Sequence, residues 1–201
     1  MTITMIRHGL TQGNIERRYV GATDVPLAPQ GEAQARAARK DTGLRKVYVT
    51  PLARARQTAG ILYPHADQHV AEGLREMDFG VFEGRTYEEL EQDPAFQLWS
   101  QDGGMQPMER GEGRYGFGVR VRDALADLVS QAHARGEDSI TVVAHGGTIM
   151  ALMAMHALPE KSYNEWWVEN LQGYRVRLDP AAWGPDAKFT AHEAVDLNEG
   201  V

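Results

Sequence analysis

The N-terminal stretch Thr2 to Asn14, TITMIRHGLTQGN, constrains this chain most. An apolar run, Ile3, Met5 and Ile6, stops abruptly at Arg7-His8-Gly9. Thr11, Gln12, Gly13 and Asn14 then supply polar, turn-prone residues. The apolar part reads as a buried strand. Arg7 and His8 then fall at its carboxyl end, where open α/β sheets bind ligands. Gly9 has no side chain and is expected to let its backbone N–H approach an anion.

Two further apolar runs end the same way. Val47-Tyr48-Val49 leads into Thr50-Pro51, an N-cap residue followed by a proline suited to a first helical turn. A helix over 52–63 should follow, with Arg54 in its first turn. Ser139 to Ala144 leads into His145-Gly146-Gly147 and then an apolar helix over 148–157. Elsewhere, 30–40 is rich in helix formers, 68–71 suits a short strand and 120–133 has an amphipathic helical pattern. Strands at 174–178 and 189–195 complete the reading. Strands alternating with helices imply an α/β fold: a three-layer αβα sandwich with a mostly parallel central sheet and an antiparallel edge strand.

Residues 73–118 break the alternation with nine glycines among Phe79, Phe82, Phe96, Trp99 and Tyr115. This reads as a loop and short-helix insertion over one end of the sheet, within a single domain covering 1–201. Phe79, Phe82, Trp99 and Tyr115 either line a pocket or form a satellite core. Trp166 and Trp167 read as packing residues of a late helix. His65, His69, His133, His156 and His192 read as surface or packing residues.

Composition narrows the chemistry. With 42% hydrophobic and 24% charged residues, the chain has ordinary globular proportions and enough length for one sizeable core. The absence of cysteine excludes disulfides, zinc–thiolate sites and a cysteine nucleophile. No apolar stretch is long enough for a membrane helix, so no membrane partner is expected. Without a targeting signal the default location is cytoplasmic. The formal charge is −7 and no dense Lys/Arg block occurs, which argues against a nucleic-acid partner. There is no acidic cluster of metal-ligand type, so no metal is expected. Oligomeric state is not legible.

If the three strands run parallel, Arg7, His8, Arg54 and His145 meet at one sheet edge. Glycine-flanked N–H groups and two helix N-termini would join them there. Such a crevice suits a dianionic phosphoryl group, because arginine's planar fork matches its oxygens.

Taken together, these segments resemble the histidine phosphatase superfamily, which includes the cofactor-dependent phosphoglycerate mutases. The matching pieces are Arg7-His8-Gly9 with Thr11 and Asn14, then Gly21 with Asp24 to Leu27, and Gly31. They continue with Pro51 to Ala59, Leu74 to Gly80 with Glu83-Gly84, and Ala144 to Gly147. The resemblance implies a phosphoglycerate mutase-like fold with His8 as nucleophile. Arg7, Arg54 and His145 would hold phosphoryl oxygens, and Glu76 would be the general acid, with Glu72 and Asp78 as stand-ins. Asn14, Gly9, Gly21 and Gly146 would complete the phosphate site.

The insertion, DGGMQPMERGEGRYGF, has only Arg110 and Arg114 as cations and no paired-arginine segment. That favours water as acceptor: a phosphomonoesterase acting on a small phosphate ester, with no cofactor. A phosphoglycerate mutase is the alternative, and a non-catalytic phospho-ligand binder is a third reading. LREMDFGVFEGRTYEEL resembles the α-ribazole and broad-range phosphatase members. Gly111-Glu112-Gly113 departs from their usual Gly-Gly-Glu-Ser, and Thr50 stands where serine is commoner.

Overall fold

The computed structural model describes residues 1–198. In chain order the elements are β1 (Thr2–Arg7), α1 (Gln12–Ile15), α2 (Pro29–Ala37), β2 (Lys46–Val49), α3 (Ala53–Leu62) and β3 (Asp67–Val70). There follow α4 (Tyr87–Leu90), α5 (Pro94–Gln101), α6 (Arg114–Ala134), β4 (Ser139–Ala144), α7 (Gly146–His156), β5 (Gln172–Arg177) and β6 (Ala191–Asp196). Short 3₁₀ turns lie at Glu72–Leu74, Gly80–Phe82 and Tyr163–Trp166.

One six-stranded sheet has the order β3-β2-β4-β1-β5-β6. β1, β2, β3 and β4 pair in parallel, whereas β5 runs against both β1 and β6. The expected α/β sandwich is therefore present, with one refinement. The strand of opposite direction is β5, one position in from the edge.

Both sheet faces are covered by helices, so the central strands β1, β2 and β4 are mostly apolar. Side chains alternate between faces along each strand. Ile3, Met5, Tyr48, Ile140, Val142 and Ala144 pack beneath α6 and α7 with Val121, Leu125 and Ile149. Ile6, Val47, Val49 and Val143 face α2 and α3 through Ala35, Ala55, Ala59 and Leu62. The alanines on that second face let α3 lie close to the strands, which brings Arg54 to the sheet edge.

Two helix limits differ from expectation, both beside glycines. α6 begins at Arg114 rather than near residue 120 and runs through Gly116 and Gly118. Phe117 and Gly118 are buried there, and this packing outweighs the roughly 1 kcal/mol cost of each helical glycine. α7 likewise begins at Gly146, two residues earlier than expected. The irregular insertion thus closes at Gly113, not Gly118. No late helix surrounds the paired tryptophans. Trp166 is buried in a 3₁₀ turn and Trp167 is 55% exposed, so only the first packs as expected. Among the described residues no helix is long and apolar enough to cross a membrane.

Candidate active site

Register brings the strand ends together. Arg7 pairs with Ala144 across β1 and β4, and the His8 N–H donates to the Ala144 carbonyl at 3.0 Å. The Thr50 N–H reaches the Val143 carbonyl from β2 at 3.4 Å. His8, Thr50 and His145 therefore follow three adjacent parallel strands at one edge.

The imidazoles of His8 and His145 meet edge to face, with centroids 5.2 Å apart. His8 Nδ1 lies 2.7 Å from the Gly9 carbonyl oxygen. That oxygen only accepts, so Nδ1 carries the proton and Nε2 keeps its lone pair. Burial, then the charges of Arg54 and Arg7, push the His8 pKa well below its usual value. Burial followed by Arg54 does the same to His145. Thr50 Oγ1 contacts His145 Nε2 at 2.8 Å.

Arg54 is wholly buried. It donates from Nη1 to the Thr23 carbonyl at 2.9 Å and from Nη2 to the Gly21 carbonyl at 2.7 Å. Arg7 donates from Nη1 to the Val168 carbonyl at 2.7 Å, and its guanidinium lies 5.0 Å from the Trp167 ring centre. Arg7 Nε, Arg54 Nε and His145 Nδ1 are buried without a hydrogen-bond partner among the described residues. Buried polar atoms are rarely left so, and three nitrogens without partners are the chemistry an anion would satisfy.

Glu76 lines a cavity together with Arg7, His8, Gly146 and Gly147, whereas Arg54 and His145 lie behind its wall. Its carboxylate accepts from the Met77 N–H at 3.0 Å and the Gly147 N–H at 2.8 Å. Burial outweighs these bonds and raises its pKa above the ordinary carboxylate range. Arg120 braces the segment from behind, donating to the carbonyls of Gly73, Arg75 and Glu76. A two-pronged ion pair with Glu112, at 2.6 and 2.7 Å, holds Arg120 in place. Glu72 instead faces solvent near Arg75, and Asp78 accepts from the Gly80 N–H.

Two sequence-based donor assignments, Gly9 and Gly21, require correction. The Gly9 N–H does not face the crevice, because it donates to Thr58 Oγ1 at 2.9 Å. Gly21 lies behind Arg54. Its N–H donates to Glu83, and a Cβ there would collide with the Met77 carbonyl. Its glycine requirement is thus one of close backbone approach. Asn14 closes the capping box of α1 with Thr11, and its Oδ1 also receives a bond from Asn170 at 3.3 Å. Gly146 lines the cavity at the start of α7, where helical N–H groups and the helix dipole favour anions.

The cavity measures about 580 Å³. Phe79 and Trp99 line it, whereas Phe82 is buried against Phe96 and Trp99, and Tyr115 is 69% exposed. The aromatic insertion is thus both pocket wall and small core. His65, His69, His133, His156 and His192 lie outside the cavity. Sequence reasoning missed Tyr19, Tyr163 and Trp167 on its wall. Glu83, named in the motif without a role, accepts backbone N–H bonds from Gly21, Ala22 and Phe79. An acidic residue within a glycine-rich loop was the available signal.

Comparison with known proteins agrees with this geometry. The description "Histidine phosphatase superfamily (branch 1)" fits residues 3–188. Glucosyl-3-phosphoglycerate phosphatase of Mycobacterium tuberculosis is 34% identical over 164 residues, 76% of this chain and 73% of that protein. The crystal structure of the α-ribazole phosphatase from Shigella flexneri is 26% identical with a TM-score of 0.73, covering 89% of this chain and 91% of that one. A phosphoglycerate mutase structure from Thermus thermophilus is 27% identical with a TM-score of 0.67, over 98% of this chain and 100% of that one. The chain belongs to the histidine phosphatase superfamily.

Proposed function

We propose that this protein is a phosphomonoesterase that hydrolyses a small phosphorylated metabolite through a phosphohistidine on His8. The observation that carries the reading is the 2.7 Å contact between His8 Nδ1 and the Gly9 carbonyl. It leaves the lone pair on Nε2 of a ring whose environment keeps it neutral.

In the first half-reaction, Nε2 attacks phosphorus. The N–P bond forms as the ester P–O bond breaks, and the departing alkoxide takes the proton of neutral Glu76. Gly9 supports the phosphorylated ring by accepting from Nδ1–H. In the second half-reaction, water attacks phosphorus and gives its proton to the Glu76 carboxylate. The N–P bond breaks, inorganic phosphate leaves and Nε2 regains its lone pair. Arg7, Arg54 and His145 hold the equatorial oxygens as charge redistributes, a type of support worth ~10³–10⁵ in rate when an arginine supplies it. Thr50 donating its O–H to His145 Nε2 would leave Nδ1–H free for this task.

Relatives named for glucosyl-3-phosphoglycerate, α-ribazole phosphate and phosphoglycerate frame the choice of ester. A panel of monoesters tests the reading. The wild type is expected to release phosphate with a chelator present, and His8→Ala to lose turnover of every ester. Interconversion of 2- and 3-phosphoglycerate faster than phosphate release would favour the mutase alternative. Tight binding without turnover would favour a binding protein.

A further inference from the structure

The cavity is much larger than a phosphoryl group requires, so most of it serves the leaving group. Three arginines line it besides the aromatic wall. Arg7 belongs to the phosphate end. Arg18 is already neutralised, with Nε 2.6 Å from Glu16 and Nη1 3.2 Å from Glu89. Arg114 differs from both.

Among the described residues, no carboxylate lies within 4 Å of the Arg114 guanidinium, which instead rests on the Tyr163 ring, 4.5 Å from its centre. Stacking fixes the plane of the fork but leaves its N–H edge unused. Gly103 faces that edge, and even a Cβ there would come no nearer than 3.8 Å to Nη2. The Tyr163 hydroxyl reaches the Gly147 carbonyl at 3.3 Å, beside the Gly147 N–H that holds Glu76. One rigid ring therefore spaces Arg114 from the reacting centre. Phe79 and Trp99 offer apolar surface but no charge to the same space.

We propose that Arg114 is a specificity-determining residue, and that the preferred substrate is a phosphomonoester whose leaving group carries a second anion, a carboxylate or another phosphate. The inference rests on the phosphatase reading and deepens it. In a chain of formal charge −7, an unpaired cation at this point gives an otherwise disfavoured polyanion a defined landing place. The planar fork suits either anion by a two-pronged bond.

Matched esters test the assignment. 3-Phosphoglycerate and glycerol 3-phosphate differ at the group facing Arg114, glucose 1,6-bisphosphate offers a second phosphate, and phosphoethanolamine offers a cation. The wild type is expected to show higher kcat/KM for at least one of the two doubly anionic esters than for glycerol 3-phosphate. Whichever of 3-phosphoglycerate and glucose 1,6-bisphosphate gains identifies the second anion. Arg114→Gln should lower that ratio by about 10- to 100-fold, mainly through KM, and Arg114→Lys should restore part of it. Arg114→Glu should shift preference towards phosphoethanolamine. A wild type without charge preference, or an Arg114→Gln variant that slows all esters by one common factor, overturns the assignment. Failure of the parent reading looks different: the folded wild type then hydrolyses none of the four esters, and the role of Arg114 falls with it.

Discussion

The rings of His8 and His145 stand 5.2 Å apart at 62°, and the charges of Arg54 and Arg7 depress the pKa of each further than burial alone. Two imidazoles could repel one another if both were charged. In the proposed mechanism neutrality lets both act on one phosphoryl group, one with a free lone pair and the other as a donor.

This pairing fixes a pH profile. In the proposed mechanism His8 must be neutral to attack, so kcat/KM is expected to fall only when acid reaches its lowered pKa, below 6.5. In the same mechanism Glu76 must be protonated to assist departure, so kcat/KM is expected to fall again as pH rises through its raised pKa, above 4.5. The predicted profile is bounded on its acid side by His8 and on its alkaline side by Glu76. Glu76→Gln should remove the alkaline limb and cost about 10²–10⁴ in rate on alkyl esters, with a smaller loss on a nitrophenyl ester. Steady-state rates across pH check this.

The same histidines predict acid sensitivity of the fold. Their folded pKa values lie below the unfolded value near 6.5. The stability from keeping them neutral is complete above that pH and drains away as pH falls towards the folded values. Each ring contributes a slope of at most about 1.4 kcal/mol per pH unit. Urea unfolding of wild type and His145→Gln between pH 7 and 5 should show a shallower fall in the variant.

Gly147 tests the position of the acid. A Cβ there would overlap Glu76 Oε1 and come within 3.0 Å of the Tyr163 hydroxyl. Gly147→Ala should therefore displace the carboxyl and lower kcat on alkyl esters by about 10²-fold, as small misplacements of catalytic groups do. Thermal melting should fall little, since alanine favours the helix.

Arg120 is predicted to act through Glu76 without touching substrate. Lysine cannot reproduce its bonds to Glu112 and the three carbonyls. Arg120→Lys should cost about 1–3 kcal/mol of stability in urea unfolding. It should also move the alkaline limb of the pH profile, which a purely structural residue would leave in place.

Much of this arrangement is legible in the sequence where local pattern and chemistry coincide. Apolar runs ending at Arg7-His8-Gly9 and at His145-Gly146-Gly147 are strand ends on periodicity alone, and β1 and β4 are neighbours. What the pattern does not carry is direction. Gly9 and Gly21 look like phosphate donors, but long-range partners decide where an N–H points, and Thr58 and Glu83 take these two. Trp167 looks like a packing residue because tryptophan usually packs. Its place over Arg7 depends on how the segment after the 3₁₀ turn meets β1. The start of α6 is hidden because glycine's local preference argues against helix at Gly116 and Gly118 while packing of Phe117 argues for it.

The most direct measurement is acid-labile, base-stable phosphate on the protein after rapid quench of the reaction, mapped to its residue by peptide mass spectrometry. One phosphoryl group on His8, formed and lost at rates compatible with turnover and missing in His8→Ala, is the predicted result. Steady turnover with no phosphorylated protein at any time, or with the phosphoryl group on another residue, would contradict the account.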